Sequence, residues 1–547
     1  MTCNFGGLKR MKKGLLGVSL LTLGCLYGLL VAIVLLICIS LDVSLLPALG
    51  ISIIVLLIQF LVAPWITDLS MRWFYKANFK AELPEYLTTF VQEVCSRHDM
   101  KMPKIAVIPD GAPNAFTYGR TKNDARIVIT QGTLNILDEE GVKAVVAHEL
   151  GHAVHYDMLF MTVAQVVPLV MYAVFEICMS ANKSSKSSSK SDGKGSGALA
   201  VIGLIAYLLY IICQLIILWL SRTREYYADE FSVEETTNPN ALADALVRIG
   251  YGLATLGKDA TENRHSVASP STLGISDGKS AKSMAVCCAS DNADDMKASV
   301  QNSMKWDMWN PWAKLYELLS THPLISKRLL AISEKSSQYG QTPYVTFNLE
   351  KPESYVDDFI KENFINAAPI LLFIVLVIIF FVNSTKVILI PITVAVTMIA
   401  SLLKYLYRHP NKGFDLQTVK ELLGIVKVSD ITSVDCEVDG EIIGRGNPGC
   451  VFNEDFVLKD RTGIILLNYN QPLFIINKLF ALFKSKENFG KIAKVQGWYR
   501  RNPTPYIEIK SFEVDGKTKK CWTYQFGFIW RGILLAASLF FLVMTVI

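Results

Sequence analysis

The chain has 547 residues, of which 51% are hydrophobic and 19% charged, with positive mean hydropathy. So apolar a composition excludes an ordinary soluble enzyme and marks a membrane protein. The net charge of +5 is spread thinly and points to membrane flanks rather than a nucleic-acid surface.

Two apolar runs, 15–39 and 43–66, open the chain. The first is too long for a signal peptide, lacks a small-residue cleavage site and is followed at once by another span, so it is read as retained. Lys9, Arg10, Lys12 and Lys13 precede this pair and Arg72, Lys76 and Lys80 follow it, whereas the link carries only Asp42. That bias places the N-terminus and residues 67–157 in the cytoplasm. Eleven cysteines form no framework: four lie in apolar runs, and the adjacent Cys287 and Cys288 have no ligand partners at useful spacing, which suits a reducing compartment.

Three segments at 104–109, 114–119 and 125–130 alternate like short strands. A helical pattern follows, carrying HELGH at 148–152. Residues four apart on an α-helix differ by about 40° around its axis, so His148 and His152 can offer two imidazoles to one tetrahedral metal. Glu149 lies beside them, where its carboxylate can take a proton from water that zinc has acidified. Ala147, Gly151 and Ala153 are expected to leave room for metal and substrate. A chance H-E-x-x-H in a chain this long is on the order of one in a hundred.

Spans three and four are expected at 158–179 and 198–220, the third interrupted by Gln165, Pro168 and Glu176. Their connection at 182–195 is lysine-rich against the charge bias, and its Ser/Gly content marks a flexible linker. Glu225 and Asp229, again four apart, follow the fourth span. Glu225 reads as the third zinc ligand and Asp229 as the carboxylate that accepts from a ligand histidine. His152 stands about five residues before one span and Glu225 about five after the next, so an antiparallel hairpin brings all three ligands to one membrane face.

These residues, with NAF at 114–116 and THPLISKR at 321–328, resemble the HtpX-like membrane zinc metalloproteases, relatives of the CAAX-prenyl endopeptidases, over roughly residues 10–335. The resemblance implies a gluzincin-type α+β protease in which His148, His152 and Glu225 hold one zinc and Glu149 is general base, then acid. It also implies that Asn114, Ala115 and Phe116 form the edge to which an extended substrate adds a strand. His322, with Thr321 where the family has serine, is implied as a catalytic-site histidine that stabilises the oxyanion or positions the ligand shell. A metzincin reading fails because its third histidine would fall at Met158.

Residues 241–256 read as an amphipathic helix and 257–302, rich in Ser, Ala, Asp and Lys, as a mobile insertion. A transmembrane hairpin follows at 368–382 and 387–403, turning near Asn383, and a weaker segment at 526–547 is interrupted by Arg531. Between them, segments at 432–444, 450–458 and 463–469, a helix at 474–484, and segments at 490–499 and 505–513 give the order of an OB-type barrel, with GRGNPG at 444–449 as a tight connection. The chain thus divides into an N-terminal pair of spans at 1–66, a zinc protease domain at 67–345, a hairpin at 346–409, an OB-like domain at 410–525 and a closing membrane segment. The expected function is zinc-dependent hydrolysis of peptide bonds in membrane or misfolded proteins at the cytoplasmic membrane face, with polypeptides and the bilayer as partners and no nucleic acid. A prenylpeptide-processing enzyme and a non-catalytic membrane scaffold are the rival readings.

Overall fold

The computed structural model describes residues 45–111, 113–187, 194–255, 293–382, 387–446, 453–502 and 504–546. The first expected span, the insertion from 257 to 292, Asn383 and the tip of the GRGNPG turn lie outside them.

Among the described residues, five helices are long and apolar enough to cross a membrane: Asp157–Ser180, Ala200–Thr236, Val356–Val382, Leu389–Arg408 and Thr523–Thr545. The second expected span lies on the helix Leu45–Phe74. The first two of the five belong to the longer helices Asp157–Ser187 and Lys194–Thr236, which pack along each other as a hairpin. Lys194–Thr236 leaves the apolar region without a break, so Glu225 and Asp229 ride on a rigid extension of the span. In the second group, Leu389–Arg408 packs between Val356–Val382 and Thr523–Val546. A lone arginine inside a span is costly. Arg531 is accommodated because its Nε donates to Ser401 Oγ (3.0 Å), its Nη1 to the Gly527 carbonyl (2.6 Å), and its guanidinium lies 4.2 Å from the Tyr405 ring centroid.

The soluble part before the hairpin is a three-stranded sheet packed on helices. Its order is β1 (Lys104–Ile108), β3 (Ala125–Thr130), β2 (Ala115–Gly119), with β1 parallel and β2 antiparallel to β3. Every residue of the central β3 is buried, whereas β2 is an edge. The HELGH helix, Glu139–Val154, packs against this sheet, against Glu85–Arg97, and against both Lys194–Thr236 and Pro239–Thr255.

The expected mobile stretch ends earlier than its composition suggests, because Ala293–Trp309 is a helix. Val300, Met304 and Trp306 are buried on it, with Ser303 and Asp307 buried alongside. Apolar positions so few among Asp, Lys, Gln and Asn hide the helical period from composition.

The C-terminal soluble part is a barrel. Strands β4 (Val434–Arg445), β5 (Phe456–Lys459), β6 (Ile464–Asn468), β7 (Ile492–Asn502) and β8 (Thr504–Val514) close in the order β4-β5-β6-β8-β7-β4, with β6–β8 the one parallel pairing. The helix Phe474–Phe483 lies between β6 and β7, as expected for an OB-type barrel. A short β9 (Lys517–Lys520) adds to β8. Gly440 and Gly497 are required here, since a Cβ at Gly440 would lie 2.5 Å from the Lys459 carbonyl oxygen, and one at Gly497 would collide with the Glu508 carbonyl.

Barrel and protease share one buried junction. Arg501, fully buried, donates from Nη2 to Ser303 Oγ and to Asp307 Oδ1, both at 2.9 Å, and its guanidinium lies 4.6 Å from the Trp306 ring centroid. Trp306 Nε1 donates to the Val428 carbonyl (2.7 Å) and Asn310 Nδ2 to that of Val426 (2.8 Å). Burial raises the Asp307 carboxyl, opposed by Arg501. Removing one member of such a pair strands the other charge, at a cost of about 3–5 kcal/mol, whereas an apolar replacement of both is tolerated. Arg501→Leu should therefore lower the thermal midpoint sharply, and adding Asp307→Leu should recover most of the loss. Thermal scans of the purified full-length variants check this, and a double variant no better than the single one would refute it.

Candidate active site

The HELGH helix begins at Asp138, whose side chain accepts from Gly141 N at 2.8 Å, with Glu139 and Glu140 in the first turn where the helix dipole favours them. Its residues beyond that turn are mostly small or branched apolar ones, and from Gly141 on all but Lys143 and His152 are buried. It stops at His155. Tyr156 then adopts a left-handed conformation (φ 59°), turning the chain so that Asp157 opens the next helix.

This turn and the long helix assemble a metal-ligand set. Ligand atoms of His148, His152 and Glu225 lie within 4.8 Å of one another. The two Nε2 atoms are 3.2 Å apart, and the Glu225 oxygens stand 3.6 Å from each of them. Tetrahedral zinc with donors at about 2.0–2.1 Å requires donor separations of about 3.3 Å, so the spacing fits. Glu225 Oε2 is buried and has no hydrogen-bond partner among the described residues.

The imidazoles are held in the tautomer a metal needs. His148 Nδ1 faces Asp229 Oδ1 at 2.9 Å and His152 Nδ1 faces Asp157 Oδ2 at 2.6 Å. A carboxylate only accepts, so each Nδ1 carries a proton and each Nε2 faces the common point, where a bound metal would take its lone pair. Arg328 in turn donates to Asp229 from Nε (2.8 Å) and Nη2 (2.6 Å) and reaches Glu225 Oε2 at 3.3 Å, while Arg224 pairs with Asp157 at 2.7 Å. Around the donors, four carboxylates (Glu149, Asp157, Glu225, Asp229) face two guanidiniums, a deficit of two positive charges that Zn2+ matches. The same deficit acts on the histidines. Burial would lower His148, but the Asp229 and Glu225 carboxylates raise it to about 9, and His152 is raised against burial by Asp157 and Glu225.

The other expected residues converge on this point to different extents. Glu149 is buried, and the Thr117 hydroxyl donates to its Oε2 at 2.8 Å and lies 3.1 Å from its backbone carbonyl. His322 Nε2 stands 3.5 Å from Glu225 Oε1, and its Nδ1 is 2.8 Å from the Thr321 hydroxyl, so threonine serves there as a ring-orienting partner. Asn114 is fixed through its backbone to Thr130 and Thr133. Ala115 and Phe116 start the edge strand, but their side chains are buried, Phe116 beside Met71, Ile108 and Val128. What this edge can offer a substrate is main chain.

Gly151 makes room for the long helix rather than for a ligand. It is buried, as are Ala147 and Ala153, and a Cβ on it would lie 3.2 Å from Ala228 Cα and from Phe231 Cβ. Sequence reasoning missed Thr117, Asp157, Arg224 and Arg328. Two signals were available: Asp157 ends the run HELGHAVHYD, and Arg328 closes THPLISKR.

Loss of a carboxylate behind a metal-bound histidine typically weakens metal affinity 10–100-fold. Asp157→Asn, which keeps the shape beside Arg224, should weaken zinc retention by about that factor. Chelator competition on the purified protein measures it, and unchanged affinity would remove Asp157 from the ligand support.

A family model described as Peptidase family M48 matches residues 82–336. A protease HtpX homolog from Methanothermobacter thermautotrophicus is 38% identical over 208 residues, covering 38% of this chain and 74% of its own. Another from Aeropyrum pernix is 29% identical over 286 residues, covering 52% and 84%. Among solved structures, S. mikatae Ste24p aligns at 20% identity over 42% of this chain and 57% of its own, with a TM-score of 0.30, too loose to bear on the fold. The HELGH helix, the distant Glu225 and THPLISKR all lie inside the matched region; the chain is a multi-pass zinc metallopeptidase that belongs to peptidase family M48, among the HtpX homologues.

Proposed function

We propose that this peptidase hydrolyses peptide bonds in membrane proteins, including misfolded ones, at the cytoplasmic membrane face, in a quality-control role. The observation that carries the reading is the place of the site: its ligands sit at the foot of a membrane hairpin, one of them on the uninterrupted helix Lys194–Thr236. Substrate would meet such a site as an extended segment leaving the bilayer.

His148, His152 and Glu225 hold the metal in this reading. Zinc, when bound, supplies the positive charge that acidifies water and polarises a peptide carbonyl. Glu149 takes the proton of the attacking water and passes it to the departing amine. Thr117, donating to Oε2, steers the carboxylate and leaves its other oxygen for that proton. His322, aligned by Thr321, would donate to the oxygen that gains charge as water adds, while Asp229 keeps His148 oriented. The free edge of β2 would bind the substrate backbone beside Thr117.

Glu149→Gln keeps every ligand and should keep its zinc, yet lose proteolysis of a casein-like substrate by roughly 10²–10⁴-fold; Glu225→Ala should lose the metal itself. Metal analysis beside the cleavage assay separates the two, and active Glu149→Gln protein would sink the assignment. Proteomics of membranes carrying Glu149→Gln should show membrane proteins accumulating. A farnesylated peptide cleaved far faster than its unlipidated form would instead make this a prenylpeptide-processing enzyme.

Orientation is proposed from the lysine and arginine bias around 1–80 and from the chain's two N-x-S/T sequons with x other than proline, at Asn182 and Asn383, which both fall in loops assigned to the outside. A cysteine placed at Ser187 should react with an impermeant maleimide on intact cells. Reaction only after permeabilisation would invert the topology.

A further inference from the structure

The helix Phe474–Phe483 closes one end of the barrel with one face only. Asn477, Phe480 and Ala481 are buried, and Phe480 stacks on Tyr469 with ring centroids 4.0 Å apart. The opposite face is as apolar as the buried one. Phe474, Ile475 and Phe483 are 69%, 70% and 71% exposed, and Leu479 continues the same surface. An outward face of this kind is an interaction surface, and its surroundings identify what covers it.

First, the helix is tied to the point where the last span begins. Gln471 Nε2 donates to the Lys520 carbonyl (2.8 Å), Trp522 N donates to Gln471 Oε1 (3.1 Å), and the Thr523 hydroxyl donates to the Asn470 carbonyl (2.7 Å). The span Thr523–Val546 starts there, with Trp522 exposed at its head, the position that interfacial tryptophans occupy. Second, the span Leu389–Arg408 ends at the barrel as well: the Arg408 carbonyl accepts from Ser433 Oγ and from Arg500 Nη2. The barrel therefore hangs from two membrane helices at one membrane face. Third, Lys484 and Lys486 lie exposed just past the C-terminal end of the helix, where their ammonium groups can reach anionic headgroups. A helix of 10 residues, about 15 Å long, is too short to cross a bilayer but suits lying in its surface.

We propose that Phe474–Phe483 is an interfacial anchor whose outer face is inserted into the leaflet on the zinc-site side, with lipid acyl chains and headgroups as its partner. The barrel is fixed to the protease through Arg501, Ser303 and Asp307, so this anchor sets the height and tilt of the zinc site above the membrane. The proposal concerns how the barrel is seated and does not depend on the identity of the substrate.

The full-length protein, carrying p-benzoylphenylalanine in place of Ile475, of Phe483, or, as a control outside the apolar face, of the exposed Asp439 on β4, is reconstituted into phosphatidylcholine vesicles containing phosphatidylglycerol and irradiated. Mass spectrometry should find phospholipid adducts at Ile475 and Phe483 several-fold above those at Asp439. Adducts mainly to protein, whether a second copy or another segment of the chain, would overturn the proposal. So would lipid labelling no higher than at Asp439. Both probe positions are exposed, so substitution leaves the fold intact, and unchanged thermal midpoints verify it.

Discussion

The close approach of the HELGH helix to Lys194–Thr236 is the contact on which the site depends. It occurs at Gly151, where a Cβ would meet Ala228 Cα and Phe231 at 3.2 Å. A side chain there would oblige the long helix to give by a few tenths of an ångström, and overpacking of this kind typically costs about 1–3 kcal/mol. The chemical cost would be larger than the mechanical one, since Ala228 lies between Glu225 and Asp229. Glu225 must stay 3.6 Å from both imidazole nitrogens, and Asp229 must stay within reach of His148 Nδ1. One missing side chain thus sets the distance between two histidine ligands on one helix and two carboxylates on another.

That approach buries charge, and buried charge has to be answered. Arg328 and Asp229, both buried, form a pair with two hydrogen bonds, and Asp229 passes its remaining capacity to His148. Arg224 pairs with Asp157 at 2.7 Å, and the other oxygen of Asp157 faces His152 Nδ1. Each guanidinium orients a carboxylate behind a histidine, Arg328 also reaching Glu225 Oε2 at 3.3 Å, and Glu225 is left among the ligand atoms. An apolar core could hold the helices together as well or better. It could not hold two imidazoles in one tautomer with their lone pairs on one point.

How much of this the sequence discloses follows from range. HELGH, Glu225 and Asp229 are readable because helical spacing is local and because a hairpin of two spans returns the chain to the face it left. Asp157 escapes that logic, since its approach to His152 depends on the left-handed Tyr156 breaking the helix between them. Arg328 reaches Asp229 across 99 residues and Thr117 reaches Glu149 across 32, with no periodicity to announce either. Gly151 was legible as small but not as to purpose, because sparing room for a ligand and sparing room for a helix look alike in a sequence. In the barrel, strands with one buried face alternate and were readable in order, whereas β9, KTKK, has no apolar alternation and joins the sheet through its ladder to β8.

The membrane enters the site through both ends of the hairpin. Asp157 is the first residue of one spanning helix and supports His152; Glu225 and Asp229 lie on the extension of the other, supplying a ligand and supporting His148. The relative tilt of the two spans is therefore the relative position of the ligands. A folded transmembrane segment wedged between them would pull Glu225 from the histidines and dismantle the centre it needed. In the proposed reading the scissile bond therefore arrives from the side, as extended chain, and the hairpin stays closed. On that side lies β2, the edge strand whose Thr117 already holds the Glu149 carboxylate. In the proposed reading a substrate would give up its helix before its backbone reached that edge, which would favour unfolded or loosely anchored segments.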